Sequence, residues 1–272
     1  MTALTSADYS YLREVVFHYS RNVLEPSHDH LFQSRLVGLL RRNGMTHLHE
    51  LVGLLRVSGN PELERAVAEA MTINETSFFR DCRPFNVLRT EVLPPLIESR
   101  GAARKLRFWS AASSTGQEAY SLAMLIREHF PLLSTWDICI EGTDISSEVV
   151  RRARLGRYQR IEMNRGLPAR LLVRYFDRAG EDWIVKPEIS RMCNFRQANL
   201  CAPLRFQERF DVILLRNVML YLSVETRRTL LAATHRLTAP DGCLFLGSAE
   251  QPPNRSLWTT VFSGGTTYYR PV

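Results

Sequence analysis

The chain is nearly devoid of lysine: Lys105 and Lys186 stand alone, and arginine supplies the rest of the 35 basic residues. Its five cysteines (Cys82, Cys139, Cys193, Cys201, Cys243) include no CxxC spacing. An odd number without that spacing argues against a disulfide framework and against a zinc site. The seven histidines are scattered and form no ligand pattern, so no metal is expected. No apolar run approaches the roughly 18 residues of a membrane span, and no basic-then-apolar leader pattern is present. These absences set the expectation of a reduced, cytoplasmic protein without direct membrane insertion. Internal repeats, low-complexity stretches and a complete GxGxxG are missing as well.

What is present is ordinary for a soluble globular protein: 272 residues, 45% hydrophobic and 23% charged. That length suits one large domain or two unequal ones. The formal charge of +7 favours an acidic partner without identifying it. Arginine is suited to forked recognition of carboxylate or phosphate, although genome composition is the simpler account of its excess.

Residues 1–72 read as an all-helical domain. Tyr9, Leu12, Val15, Val16 and Tyr19 fall at helical spacing, as do Phe32, Leu36, Leu39 and Leu40, with Gly44 as a stop. Asn60-Pro61-Glu62 is a helix start, with a capping side chain, then proline, then an acid. Residues 73–272 read as α/β, with strands at 106–110, 136–143, 210–215 and 242–247 and helices at 117–129, 147–155 and 224–238. This alternation predicts a mostly parallel sheet. Gly264-Gly265 between short β-type runs predicts a hairpin. Residues 157–198 fit the alternation least, with a short helix at 168–175 and β-type pieces near Trp183–Val185 and Asn194–Arg196. They are expected to form a small inserted β-subdomain.

Leu106 to Tyr120, LRFWSAASSTGQEAY, reads as strand, slim loop and helix start. Such a loop lets a ligand rest on backbone N–H groups and on a helix N-terminus. The next strand ends at Asp144, where a carboxylate can accept ribose hydroxyls. The pair points to an adenosine-containing ligand. Three further clusters stand out. Asn74-Glu75-Thr76-Ser77-Phe78-Phe79-Arg80-Asp81 joins the two parts, and reads either as ligand-contacting or as a helix cap before two core phenylalanines. Phe210 to Tyr221, FDVILLRNVMLY, is a buried strand ending in Arg216-Asn217; these face a ligand crevice or form a salt bridge at a strand terminus. Ala198-Asn199-Leu200 is uninformative by itself.

Taken together, these segments resemble the CheR-type chemotaxis receptor methyltransferases, which methylate receptor glutamates with S-adenosylmethionine. The resemblance runs through NETSFFRD, SAASSTGQEAYSLAM, GTDIS, ANL, LRNVMLYL and DGCLFLG, and covers nearly the whole chain. It implies a Rossmann-like S-adenosylmethionine-dependent methyltransferase domain with a small all-α N-terminal domain and a small β-subdomain insertion. Asn74, Thr76, Arg80, Glu118, Asp144, Asn199, Leu200, Arg216 and Asn217 match positions that bind the cofactor, and Arg80 and Tyr221 are the candidates for orienting carboxylates at the reacting centre. Arg35, Arg41 and Arg42 are expected to grip the acidic helices of a methyl-accepting receptor's cytoplasmic domain, Arg35 and Arg42 sharing a helix face because they lie seven apart. The product would be a glutamate methyl ester with S-adenosylhomocysteine, formed by a monomer that binds no nucleic acid.

The chain departs from the family at Ala119, where proline is usual, at Leu215, where cysteine is common, and at Gly247-Ser248-Ala249-Glu250, where GHSE is common. The turn after Tyr175-Phe176 is compact and lacks the longer glycine-rich form of relatives that tether a receptor tail, so no strong tether is expected. Two competing readings are a nucleic-acid methyltransferase gripping through a basic helical domain, and a cofactor-binding regulatory protein without turnover. Arg216-Asn217-Val218 stands where target-base enzymes often carry (N/D)PP(Y/F). The intact Arg80, Glu118, Asp144, Asn217 and Tyr221 argue against loss of turnover.

Overall fold

A run of β-favouring apolar residues, Leu106, Phe108 and Trp109, sits in the interior of the larger sheet. In the computed structural model, which describes residues 4–253 and 255–272, this run is β1 (Lys105–Ala111). The other strands are β2 (Asp137–Asp144), β3 (Arg157–Gln159), β4 (Phe176–Ala179), β5 (Asp182–Val185), β6 (Cys193–Gln197), β7 (Phe210–Leu215), β8 (Thr238–Leu246), β9 (Trp258–Ser263) and β10 (Thr266–Pro271). Two compact units are formed: residues 1–73 with 221–226, and residues 74–220 with 227–272.

In the larger unit, seven strands lie in the order β6-β2-β1-β7-β8-β10-β9. The first five are parallel, and the β9–β10 hairpin adds antiparallel to β8. Chain order reverses at β1, whose neighbours are β2 and β7. A doubly wound sheet binds ligands at such a switch point, beyond the carboxyl ends of its strands. Both faces of β7 are buried, as its unbroken FDVILL run requires of a central parallel strand. Helices Gln117–His129 and Ser147–Leu155 follow β1 and β2. The hairpin turns at Gly264 and Gly265, both left-handed.

The inserted subdomain is smaller than the sequence suggests. Its three-stranded sheet, β3-β5-β4, holds residues 157–159, 176–179 and 182–185. Residues 193–197 belong to the large sheet instead, because β6 pairs in parallel with β2 from Cys193 beside Ile140 to Gln197 beside Asp144. Five residues of mixed polarity, CNFRQ, carry too little pattern to reveal which sheet they join.

The helical unit buries Leu12, Val16, Phe32, Leu36, Leu51 and Val67 together. Helix Ser6–Ser20 starts with a reciprocal cap: Asp8 N–H donates to Thr5 Oγ1, and Thr5 N–H donates to Asp8 Oδ2. Asn60 Oδ1 accepts from Glu62 and Leu63 N–H at the start of Pro61–Ala70. Residues 221–226 join this unit through the Asn22–Leu222 bridge and the Val23 N–H bond to the Tyr221 carbonyl, 2.8 Å. The continuous helix expected through Phe32 to Arg42 is two short ones, His30–Arg35 and Val37–Arg42, separated by a bend at Leu36. Arg35 therefore ends one helix and Arg42 ends the next. Arginines and carboxylates are nearly balanced over residues 1–73, so the unit as a whole is not basic.

Gly142 lies within β2, where a strand interior would ordinarily favour a side chain. A Cβ there would fall 2.3 Å from Phe195 Cδ1, so the phenyl ring of β6 occupies the space. Gly142→Ala should destabilise the protein by about 1–3 kcal/mol in urea unfolding, and pairing it with Phe195→Leu should restore part of that loss. Additive losses in the double variant would show that the two sites do not compete for this space.

Candidate active site

The carboxyl ends of β1, β2, β6 and β7 converge on a set of polar side chains from five sequence segments. Between β1 and helix Gln117–His129 the chain crosses Ala112 to Gly116 in an unusual backbone, with Ala112, Ser114 and Gly116 at φ of 57°, 50° and 94°. Only small side chains fit this path. At Gly116 a Cβ would stand 3.0 Å from Ala153 Cβ and 3.1 Å from Phe195 Cζ, so the helix N-terminus is held close to its neighbours.

Asp144 fixes this loop from below. Its Oδ2 accepts the Ser114 N–H at 2.9 Å and its Oδ1 the Ser146 N–H at 3.0 Å. The buried carboxylate is thus oriented at the tip of β2 by two backbone donors. Its own carbonyl accepts from Ala198, which brings Asn199 and Leu200 beside it, and Asn199 Oδ1 closes a tight turn by accepting the Cys201 N–H at 2.9 Å. Ser114 Oγ donates to the Asn74 carbonyl at 2.7 Å, so the NETSFFRD segment joins the same loop. Thr76, half-buried, lines a polar cleft of about 430 Å³ with Asn74, Thr115, Gln117, Glu148 and Arg165.

At β7 the site is ionic. The Arg216 side chain is 2% exposed. Its Nη1 donates to Glu118 Oε2 at 2.8 Å, and its Nη2 donates to Asp81 Oδ2 at 2.6 Å and to the Arg80 carbonyl at 2.8 Å. Phe85 lies under the guanidinium, 5.9 Å to the ring centroid. Arg216 Nε is buried without a partner among the described residues. The other Glu118 oxygen accepts from Ser110 Oγ at 2.7 Å. The Arg80 guanidinium, half-buried, donates back to the Glu75 carbonyl at 2.8 Å, and the Phe79 N–H donates to Ser121 Oγ at 2.9 Å.

The backbone here is strained. Among the described residues eight non-glycine ones have positive φ, and six of them belong to this site: Phe79, Asp81, Cys82, Ala112, Ser114 and Asn217. Each such residue costs about 1–3 kcal/mol and persists where its surroundings over-determine it.

Of the residues expected from the sequence, the structure brings Asn74, Asp144, Asn199 and Leu200 around the loop. It brings Arg80, Glu118 and Arg216 into one network that Asn217 follows directly. Tyr221 closes the turn Met219–Tyr221 and groups with the helical unit, so the site described here is built without it. Arg35, Arg41 and Arg42 also lie in the helical unit. Arg35 donates to the Met71 and Thr72 carbonyls, at 2.9 and 3.0 Å, and so caps the end of helix Pro61–Ala70, whereas Arg41 and Arg42 are exposed.

The sequence reading missed Asp81, Tyr158 and Glu250. Tyr158 donates to the Thr115 carbonyl at 2.7 Å and packs edge-on to Phe78, while Tyr120 donates to the Ala153 carbonyl at 2.7 Å. Burial pushes both phenols well above the usual tyrosine range, so they remain donors at neutral pH. Asp81 and Glu250 each carried a sequence signal, as the residue after Arg80 and as the end of the Gly247–Glu250 segment, and Tyr158 carried none.

A reversed parallel sheet, a small-residue loop and an acid at the tip of the second strand define a nucleotide-cofactor enzyme of Rossmann-like form. Residues 74–267 match the family model described as CheR methyltransferase, SAM binding domain. The chain is 39% identical over 250 residues to chemotaxis protein methyltransferase 1 of Pseudomonas aeruginosa, covering 90% of each chain. It is 37% identical to chemotaxis protein methyltransferase Cher2 of Pseudomonas putida, covering 84% of each, and 36% identical to the chemotaxis protein methyltransferase of Vibrio parahaemolyticus, covering 92% of each. The chain belongs to the CheR methyltransferase family and is an S-adenosylmethionine-dependent methyltransferase.

Removing one partner of a buried ion pair costs about 3–5 kcal/mol, whereas replacing both with apolar groups is often neutral. Arg216→Met should therefore destabilise strongly. Glu118→Leu/Arg216→Met should regain most of that stability in urea unfolding while methyl transfer stays lost. Recovered activity in the double variant would assign the pair to stability alone.

Proposed function

We propose that this enzyme methylates glutamate side chains on the cytoplasmic domain of a chemoreceptor, yielding the γ-methyl ester. The observation that supports this most directly is the set of fixed charges and amides at the strand ends. The donor set suits the cofactor: Asp144 for ribose hydroxyls, Asn199 and Leu200 for the adenine, and Asn74, Thr76, Arg80, Glu118, Arg216 and Asn217 for the amino-acid end. The cofactor supplies a methyl group activated on a sulfonium. A glutamate is already ionised at neutral pH, with an ordinary pKa of about 4.3, so the chain need provide no general base. Its task is to exclude water and hold the carboxylate in line. Arg80 is the group proposed to orient it; the role expected of Tyr221 rests on family resemblance.

The decisive assay is transfer of labelled methyl from S-adenosylmethionine to a purified receptor cytoplasmic fragment. Alkali should release the label as methanol, as an ester requires. Label fixed to RNA, or none on receptor, would sink the reading. Asp144→Asn should weaken S-adenosylhomocysteine binding by about tenfold or more in calorimetry, since a charge-assisted hydrogen bond contributes about 1.5–3 kcal/mol. Unchanged affinity would remove Asp144 from the cofactor set.

Receptor docking falls on Arg41 and Arg42, because Arg35 is committed to carbonyls of its own unit. Arg41→Glu/Arg42→Glu should raise KM for receptor at low salt while leaving cofactor affinity intact. Equal KM for the variant and the wild type would move the docking face elsewhere.

A further inference from the structure

Glu250 is 6% exposed and meets no cation among the described residues. It is surrounded by backbone donors instead. Its Oε2 accepts the N–H groups of Gly247 at 2.7 Å and Asn217 at 2.8 Å. Its Oε1 accepts Met219 at 2.7 Å and Leu220 at 3.3 Å. The turn that follows β7 has no ladder partner for these groups, and unsatisfied buried N–H groups are costly. One carboxylate thus satisfies them all, and Asn217 is held at φ 60°.

Gly247 completes the arrangement. A Cβ at this position would stand 2.7 Å from Glu250 Oε2, 2.8 Å from Asn217 Nδ2 and 2.9 Å from the Asn217 backbone nitrogen. The absence of a side chain lets Asn217 lie against the strand end with its amide beside the carboxylate. Gly247 has an ordinary negative φ, so it is space and not backbone freedom that requires glycine here.

We propose that Glu250 is the positioning residue of this methyltransferase: its carboxylate, seated over Gly247, sets the Asn217–Leu220 turn and through it the Asn217 side chain at the cofactor. The proposal rests on the reading of Asn217 as a cofactor contact. Glutamine is the sharpest probe, because it keeps the shape of glutamate but presents an NH2 to two of the four N–H donors in either orientation. In Glu250→Gln, S-adenosylhomocysteine affinity and kcat should both fall by about tenfold, the scale of one charge-assisted hydrogen bond, with KM for receptor unchanged. Leu96→Ala serves as a core variant that lowers Tm without touching the turn. It should keep wild-type affinity and kcat per folded molecule.

Should Glu250→Gln fail to fold, Gly247→Ala tests the same point. It keeps the Glu250 side chain but crowds both its Oε2 and Asn217, and should show the same paired loss. Either variant lowering Tm while keeping wild-type affinity and kcat would overturn the proposal. Asn217→Ala separates the two layers. If it weakens the cofactor and neither variant does, Glu250 has no positioning role. If Asn217→Ala binds the cofactor normally, the Asn217 reading falls and the proposal with it. Amide exchange on Gly247, Asn217 and Met219 then reports whether Glu250 still protects the turn as a purely structural acceptor.

Discussion

The buried Arg216 guanidinium is the constraint on which this site depends. Its three acceptors come from two places far apart in sequence: Glu118 at the start of a helix, and Asp81 with the Arg80 carbonyl before the sheet begins. Taking an arginine out of water is costly, and only nearly complete hydrogen bonding offsets it. Lysine has no planar fork and could not serve both directions at once. The strand end, the helix start and the NETSFFRD segment must therefore be in place together. This interdependence is what allows Phe79, Asp81 and Cys82 to remain in the left-handed region.

The same logic extends around the strand ends. Asp144 holds the Ala112–Gly116 loop at Ser114, Tyr158 holds it at the Thr115 carbonyl, and Glu250 gathers the turn after β7. Each is a side chain reaching a backbone group that no sheet or helix would otherwise satisfy. Tyr158 lies on β3, so the small inserted sheet is bonded directly to the loop after β1. The aromatic contacts of Phe78 with Tyr158 and Phe176 add the NETSFFRD segment to that connection.

The parallel order was legible because period and punctuation are local signals. FDVILL reads as a buried strand, SAASSTG as a slim loop, and Asp144 as the acid at a strand tip. What escaped was set by distant partners. CNFRQ joins β2 across a long separation, and nothing within five residues encodes that choice. The helix through Phe32 to Arg42 keeps its apolar spacing across the bend at Leu36, so periodicity could not show the break. Arg35 reads as part of a receptor-gripping face, yet the Met71 and Thr72 carbonyls, more than 35 residues on, occupy it. GSAE read as a departure from a family motif, although its glutamate accepts from four backbone N–H groups.

Pairing of the carboxylates also bears on the chemistry. For the proposed transfer, a cation and a carboxylate become two neutral groups, so a site that stabilised either charge strongly would favour the reactants over the transition state. Glu118 is already matched by Arg216, while Asp144 and Glu250 are bonded to backbone N–H groups. Their oxygens are hydrogen-bonded within the protein before any substrate arrives. The fixed dipoles of these bonded groups replace water around the reactants. A methyltransferase acting on an ionised nucleophile needs orientation more than proton chemistry. That is consistent with a site whose polar groups are spent mainly on holding its own backbone.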